Sequence, residues 1–356
     1  METSRETVYT HTLITHTSTK ISQNLPARVF LNLVSALPAV LCGCSPEEAA
    51  PETVATVTSV AAAVRSTGAS ATKTLDIFTF NDDALQRLDS YMRIEDFRQN
   101  TVDVASQAGD KVMFFCANSR HGRYSWSDVN CLASLDGMHA KLEEENPEFP
   151  VMTASCKVTA GRDPETEVEL RTLMSCITLN SISCDFSGKP YEDAVIRNVK
   201  AYLTNVNAGC SLTAEGMILP HRIINAGMLR EDETAAFGIP EMVVRDIAAE
   251  IGKTAIRPSA DLYCYPNMGE TEGPGTPFTR LVIEGSVDGT TYYWPVNINR
   301  SGEEGNGVGR SCRYVYDIVI RRKGSTDPDT PVEVAQAEIS MKTRPWNEKE
   351  EYTVTF

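Results

Sequence analysis

The sequence predicts a mainly β protein of two β-sandwich domains with short helices in the loops. Three observations predict it. Many runs alternate with period two and are rich in Val, Ile, Thr, Phe and Tyr; turn residues punctuate those runs; and stretches with helical spacing are few. The chain reads as a leader over 1–43, a tether over 44–52, a first sandwich over 53–189 and a second over 190–356.

The leader carries the stretch "VFLNLVSALPAVLCGC", residues 29–44. Its apolar run, Val29 to Leu41, is 13 residues long, and a spanning helix needs about 20. Arg28 before it and small residues after it give the run the shape of a secretory signal. Leu41, Cys42, Gly43 and Cys44 resemble a lipobox, with Cys44 as the candidate lipidated residue. Two cysteines one residue apart supply only two metal ligands, and no partner pair at finger spacing accompanies them. The polar residues upstream of Arg28 fit a start codon assigned too far upstream. The acidic "SPEEAAPET" that follows Cys44 has no apolar periodicity and reads as a spacer.

In the first sandwich "TVATVTSVAAAVR", residues 53–65, is rich in β-branched residues, with Val54, Val57, Val60 and Val64 as its apolar set. "TKTLDIFTFND" alternates, with Leu75, Ile77 and Thr79 on one face and Asp76, Phe78 and Phe80 on the other. "DKVMFFCANS", "PVMTASCKVTAG" and "TEVELRTLMSCITLNSISCDFSG" continue the strands, the last long enough for two or for one that bends. Residues 127–145 have the spacing of a short amphipathic helix with Ser127 as N-cap.

In the second sandwich "AVIRNVKAYLTNV" places Val195, Val199, Ala201 and Leu203 inward around a bulge, and "PEMVVRDIAAEI" reads as a helix. "DLYCYPN", "FTRLVIEGSVDGTTYYWPVNIN", "CRYVYDIVIRRKG", "VEVAQAEISMKTRPW" and "EEYTVTF" read as strands, with Asp288-Gly289 as a hairpin turn.

The net charge of −15 speaks against a nucleic-acid partner, since beyond the cluster Arg321, Arg322 and Lys323 no basic patch is available in quantity to neutralise phosphates. Cysteines 116, 176 and 264 sit in apolar strand patterns and read as buried free thiols; Cys176 and Cys184 form the first pair to test for a disulfide. His121, His139 and His221 stand in no metalloprotease spacing, and no serine elbow is present. "NDD" at 81–83 and "TDPDT" at 326–330 read as turns rather than calcium loops. The expectation is therefore a non-enzymatic protein with no catalytic residue, no cofactor and no metal.

The order of "TKTLDIFTFNDDALQRLDSY", "VMFFCANS", "LRTLMSCITLNSISCDFSGKPY", "VKAYLTNV", "LYCYPN", "TPFTRLVIEGSVDGTTYYWPVNIN", "RYVYDIVIRRKGSTDPDTPV" and "RPWNEKEEYTVTF" resembles the fimbrillin-type subunits of the type V pili of Bacteroidales, over roughly 53–356. The resemblance implies two seven-stranded transthyretin-like sandwiches, export as a lipoprotein acylated at Cys44, and a location in the outer membrane and fimbrium at the cell surface. "SPEE" is similar to the surface-export signals of such lipoproteins. It implies other fimbrial subunits as partners, in a homo- or heteropolymer, with the outer membrane met through the lipid and a host glycan or protein receptor beyond. It further implies removal of the leader and first strand by an arginine-specific protease, placed by spacing at Arg65, and entry of a donor strand into the exposed groove. Tyr352, Val354 and Phe356 alternate cleanly and are the candidate donor, or else they complete their own sheet. Two rival readings stand beside this one: an anchor or accessory protein that keeps its lipid, and a glycan-binding surface lipoprotein with Tyr263, Tyr265, Tyr292, Tyr293 and Trp294 as an aromatic platform. A secreted hydrolase would rest on the abundant carboxylates alone.

Overall fold

The computed structural model describes residues 57–66, 71–119, 124, 126–162, 165–300, 307–330 and 337–346. All lie in one compact unit, Val54–Phe356. Cys44, Val54, His121, Tyr352, Val354 and Phe356 lie outside the described residues.

The first sandwich is built from β1 (Val57–Ser66), β2 (Leu75–Asn81), β3 (Leu88–Ile94), β4 (Thr101–Gln107) and β5 (Gly109–Ala117), then, after the short β6 (His139–Lys141), from β7 (Met152–Ala160) and β8 (Thr166–Thr172). These seven long strands form one curled sheet in the order β3-β2-β5-β7-β8-β1-β4. β8 joins the two parts of the sheet: residues 166–170 pair with β1, and only its last two, through Thr153↔Arg171 and Met152↔Thr172, pair with β7. Inside the curl lies a core that includes Val60, Leu75, Ile77, Val104, Met113, Phe115, Val168 and Leu170. The alternation read from "LDIFTF" holds: Leu75 and Ile77 enter this core, while Phe78 and Phe80 enter a second one. β2 is thus buried on both faces.

The long run 166–188 divides into β8 and β9 (Ser175–Cys184), which belong to different sheets. β9 pairs with β15 (Ala260–Cys264) and with β18 (Cys312–Ile320), so the pairing changes sandwich at Leu173–Met174, ahead of 189/190. The remaining strands are β10 (Ile196–Thr204), the short β11 (Val206–Asn207), β12 (Gly209–Ser211) and β13 (Ile223–Ile224), then β14 (Val244–Ile251), β16 (Arg280–Val287), β17 (Thr290–Asn297) and β19 (Ala337–Pro345). Two four-stranded sheets, β14-β10-β16-β17 and β15-β9-β18-β19, make the second sandwich. β10 bulges at Val199/Lys200 with Ile196, Val199, Ala201 and Leu203 buried, so Ile196 takes the place expected of Val195. Asp288 at φ 52° and Gly289 at φ 81° close the β16–β17 hairpin.

Two expected helices are absent among the described residues. Over 127–145 the chain makes 3₁₀ turns, a four-residue helix at Ala133–Asp136 and β6, because β6 pairs with β12 and turns Ala140 and Leu142 inward. Residues 244–251 form β14, an edge strand whose backbone groups are satisfied by β10.

The eight described cysteines are free. Cys176 and Cys184 stand at the two ends of β9, and an extended strand with a rise of about 3.3 Å per residue holds them far beyond disulfide reach. Burial pushes the Cys156 thiol up to about 11 and those of Cys176 and Cys210 up to about 12, whereas the Ser134 hydroxyl and backbone N–H groups hold Cys131 below its ordinary value. Native alkylation with iodoacetamide at pH 7.5 is therefore expected to label Cys131 first, with Cys116, Cys176, Cys184, Cys210 and Cys264 modified only after unfolding. Peptide mapping across a time course checks the order.

Candidate functional site: the seat of the first strand

β1 is held from both sides. It runs antiparallel to β4 from Val57↔Gln107 to Ala63↔Thr101 and parallel to β8 from Ala62↔Thr166 to Ser66↔Leu170. Among the described residues β4 stands at the end of the sheet, with β1 as its strand neighbour. Taking β1 away would leave unpaired main-chain groups on two strands and an apolar trench between them.

The inward set corrects the expected one. Val60, Ala62 and Val64 are buried, at 2%, 0% and 3% exposure, while Val57 is 72% exposed. Strand side chains alternate strictly, so Val57 and Val60 must face opposite ways. The trench would be lined by Val102, Val104, Val168 and Leu170, with Ile77, Met113 and Phe115 at its floor. Burying the two valines contributes roughly 1.5–3 kcal/mol each, and small Ala62 lets the layers close over the middle of the strand.

Arg65 lies on the outer face near the end of β1. Its guanidinium donates to the Glu167 carboxylate at 3.1 Å, with both side chains more than two-thirds exposed. Such a pair contributes at most about 1 kcal/mol, so it does little to shield the arginine. The antiparallel ladder ends just before it, its last bond running from the Val64 N–H to the Asn100 carbonyl at 2.7 Å. Arg65 and Ser66 continue to pair with β8, and that ladder must fray before a protease can hold the backbone extended.

At the other end of the chain, β19 is an edge strand paired with β18. Trp346 follows it, buried at 8% exposure, packed on Tyr263 and bonded through its backbone N–H to the Ser311 carbonyl at 3.2 Å. Trp346 and Arg344 line one cavity together with Glu169 and Arg171 of β8. Glu169 is the register partner of Arg65. The end of β1 and the root of the C-terminal segment therefore lie at the same end of the first sandwich.

The aromatic platform does not form. Trp294 is fully buried and its indole N–H donates to the Arg322 carbonyl at 2.9 Å; Tyr265 is fully buried and its hydroxyl donates to Glu145 at 2.8 Å. Tyr263 is buried on another sheet, and Tyr292 and Tyr293 point to opposite faces of β17. His139 and His221 stack with ring centroids 3.9 Å apart, an arrangement that alternation in sequence does not reveal. Asp83 accepts from the Leu85 and Gln86 N–H groups, and Asp327 accepts from the Asp329 N–H and the Thr330 hydroxyl, so both acidic stretches cap turns.

No family model and no curated protein matches the chain. Solved structures do. A fimbrilin from Porphyromonas gingivalis is 14% identical with a TM-score of 0.60, the match covering 82% of this chain and 98% of that one. A candidate cell adhesion protein from Parabacteroides distasonis is 15% identical with a TM-score of 0.62, over 83% of this chain and 98% of that one. Another from Bacteroides eggerthii is 14% identical with a TM-score of 0.58, over 82% and 96%. At these identities the likeness establishes a shared fold.

Proposed function

We propose that this protein is a structural or adhesive subunit of cell-surface fimbriae, without enzymatic activity, exported as a lipoprotein through Cys44 and joined to other subunits by replacement of β1. The observation that carries this reading is the seat of β1, a strand inserted between β4 and β8 whose apolar side chains Val60, Ala62 and Val64 fill the sandwich and whose end carries an exposed arginine. A cut after Arg65 frees a segment that shares no further covalent link with the body. A strand from a second subunit then satisfies the main-chain groups of β4 and β8 and fills the trench. The fold shared with a fimbrilin supports the same reading.

Mass spectrometry of the protein taken from its native cell surface tests it. A mature N-terminus at Ser66 without lipid is the expected result; a diacylglyceryl Cys44 on a protein absent from filaments would defeat the polymerising role. Deleting Tyr352 to Phe356 is expected to abolish polymerisation and to leave the monomer folded, as read by electron microscopy and circular dichroism. Loss of folding would assign those residues to their own sheet. The residual pairing of Arg65 and Ser66 with β8 favours one second reading, an anchor in which the ladder never frays, the cut never occurs and Cys44 remains the attachment to the outer membrane.

A further inference from the structure

Arg310 lies in the turn that leads into β18, and its guanidinium reaches out of the second sandwich into the first. Its Nε donates to the Thr172 carbonyl at 3.2 Å, one terminal nitrogen to the Ala214 carbonyl at 2.9 Å, and the other to the Arg171 carbonyl at 2.9 Å, the Thr153 carbonyl at 3.0 Å and Thr153 Oγ1 at 2.8 Å. All five acceptors are uncharged oxygens. Three of the residues they belong to, Thr153, Arg171 and Thr172, are among the four at which β7 and β8 make their two pairs, the fourth being Met152.

That coincidence matters for a sandwich without β1. Residues 166–169 of β8 then lose the strand beside them, and its main chain is held at the far end by Ser66 opposite Leu170, by the two pairs to β7 at Arg171 and Thr172, and by Arg310. We infer that Arg310 is a positioning residue that keeps β8 seated as an acceptor edge while the place of β1 is empty. The planar fork of a guanidinium can serve acceptors on separate segments at fixed angles, which a lysine ammonium cannot reproduce. An acceptor edge held in place does not have to be ordered again when a new strand arrives, and that ordering cost is what weakens association. The inference rests on the reading that β1 is replaced.

Every variant of the test, its wild-type reference included, lacks Tyr352 to Phe356, the deletion expected above to leave the monomer folded, so that no tail of its own refills the seat; a second change, Ala62→Asp, drives β1 out, because Ala62 is wholly buried and an unpaired carboxylate cannot remain there. Hydrogen exchange of the 166–172 amides is measured in the wild type, Arg310→Lys, Ala62→Asp and the double variant. Arg310→Lys is expected to lower protection about tenfold more in the Ala62→Asp background than in the wild type, a coupling between the two sites. An equal factor in both backgrounds would make Arg310 an ordinary contact and overturn the proposal, as would collapse of β8 in Ala62→Asp with Arg310 intact. If Arg310→Lys does not fold, Thr153→Val removes a single acceptor and is expected to show the same background dependence at smaller size. A synthetic peptide of residues 347–356 added to Ala62→Asp separates the two readings. Recovery of β8 protection supports replacement, whereas no recovery together with the tenfold coupling defeats the replacement reading and leaves the role of Arg310 in holding β8 standing.

Discussion

Replacing Asp89 by alanine is expected to cost the first sandwich about 3–5 kcal/mol, the usual penalty for stranding one member of a buried ion pair. Lys111 is 2% exposed and its Nζ lies 3.1 Å from the Asp89 carboxylate, itself 5% exposed. Lys111 also donates to Asn81 at 2.6 Å, and Asp89 accepts from the Ser106 hydroxyl at 2.7 Å and the Gln107 N–H at 2.9 Å. The network ties β5 and β3 to β4, the strand that depends on β1 for its pairing. Urea unfolding followed at the far-ultraviolet ellipticity measures the loss. Lys111→Met together with Asp89→Leu should recover most of it, since removing both charges leaves nothing stranded. Acid should act in the same direction. Burial alone would raise the Asp89 pKa, but the Ser106 hydroxyl, the Gln107 N–H and Lys111 together hold it below the ordinary 3.8. Its contribution is therefore present in full above pH 3.8 and is lost as the pH falls through the lower folded value. Asp89→Asn should flatten that part of the stability profile; an unchanged acid limb would show that other carboxylates control it.

Trp294→Ala is expected to be as damaging to the second sandwich, about 3–5 kcal/mol for an aromatic side chain deleted from a closed core. The indole fills the space beneath Gly324, where even an added Cβ would overlap the Tyr293 carbonyl and press on Trp294. Its N–H bond to Arg322 would leave a carbonyl unserved. A drop in melting temperature and a loss of native tryptophan fluorescence check this. The result also bears on any glycan assay, since a Trp294→Ala protein that fails to bind sugar would have failed to fold first. Unchanged stability would return Trp294 to the surface and revive the platform.

The local chemistry of the fold was legible in the residues. Asp288-Gly289 specified its hairpin because only a few residue types accept positive φ at adjacent positions, and "LDIFTF" declared the two faces of β2. The misread segments share one cause. Val243, Val244, Ile247 and Ile251 recur at three- and four-residue intervals and mimic a helix, but β10 offers residues 244–251 a ladder, and a partner some fifty positions away leaves no local trace. The seat of β1 was half visible. Its β-branched composition marked a strand, yet the valines at 54, 57, 60 and 64 hid a period-two set whose middle member is an alanine. Arg65 could be found from its place after that strand. Arg310 could not, because its role depends on carbonyls contributed by three distant segments, and a carbonyl has no signature in sequence.

The shared location of Arg65's register partner and of Trp346 has a kinetic consequence. Trp346 stands beside the end of β8, and ten extended residues span about 33 Å, the length of a strand such as β1. If β1 is replaced as proposed, the residues that follow Trp346 in the same subunit would compete for the trench at an effective concentration in the millimolar range, set by tethering and independent of how many neighbours are present. A neighbour can prevail only by a better fit or by being already in place when the cut is made. The cut and the hand-over would then have to occur at the growing filament, since a subunit opened in isolation would close upon itself.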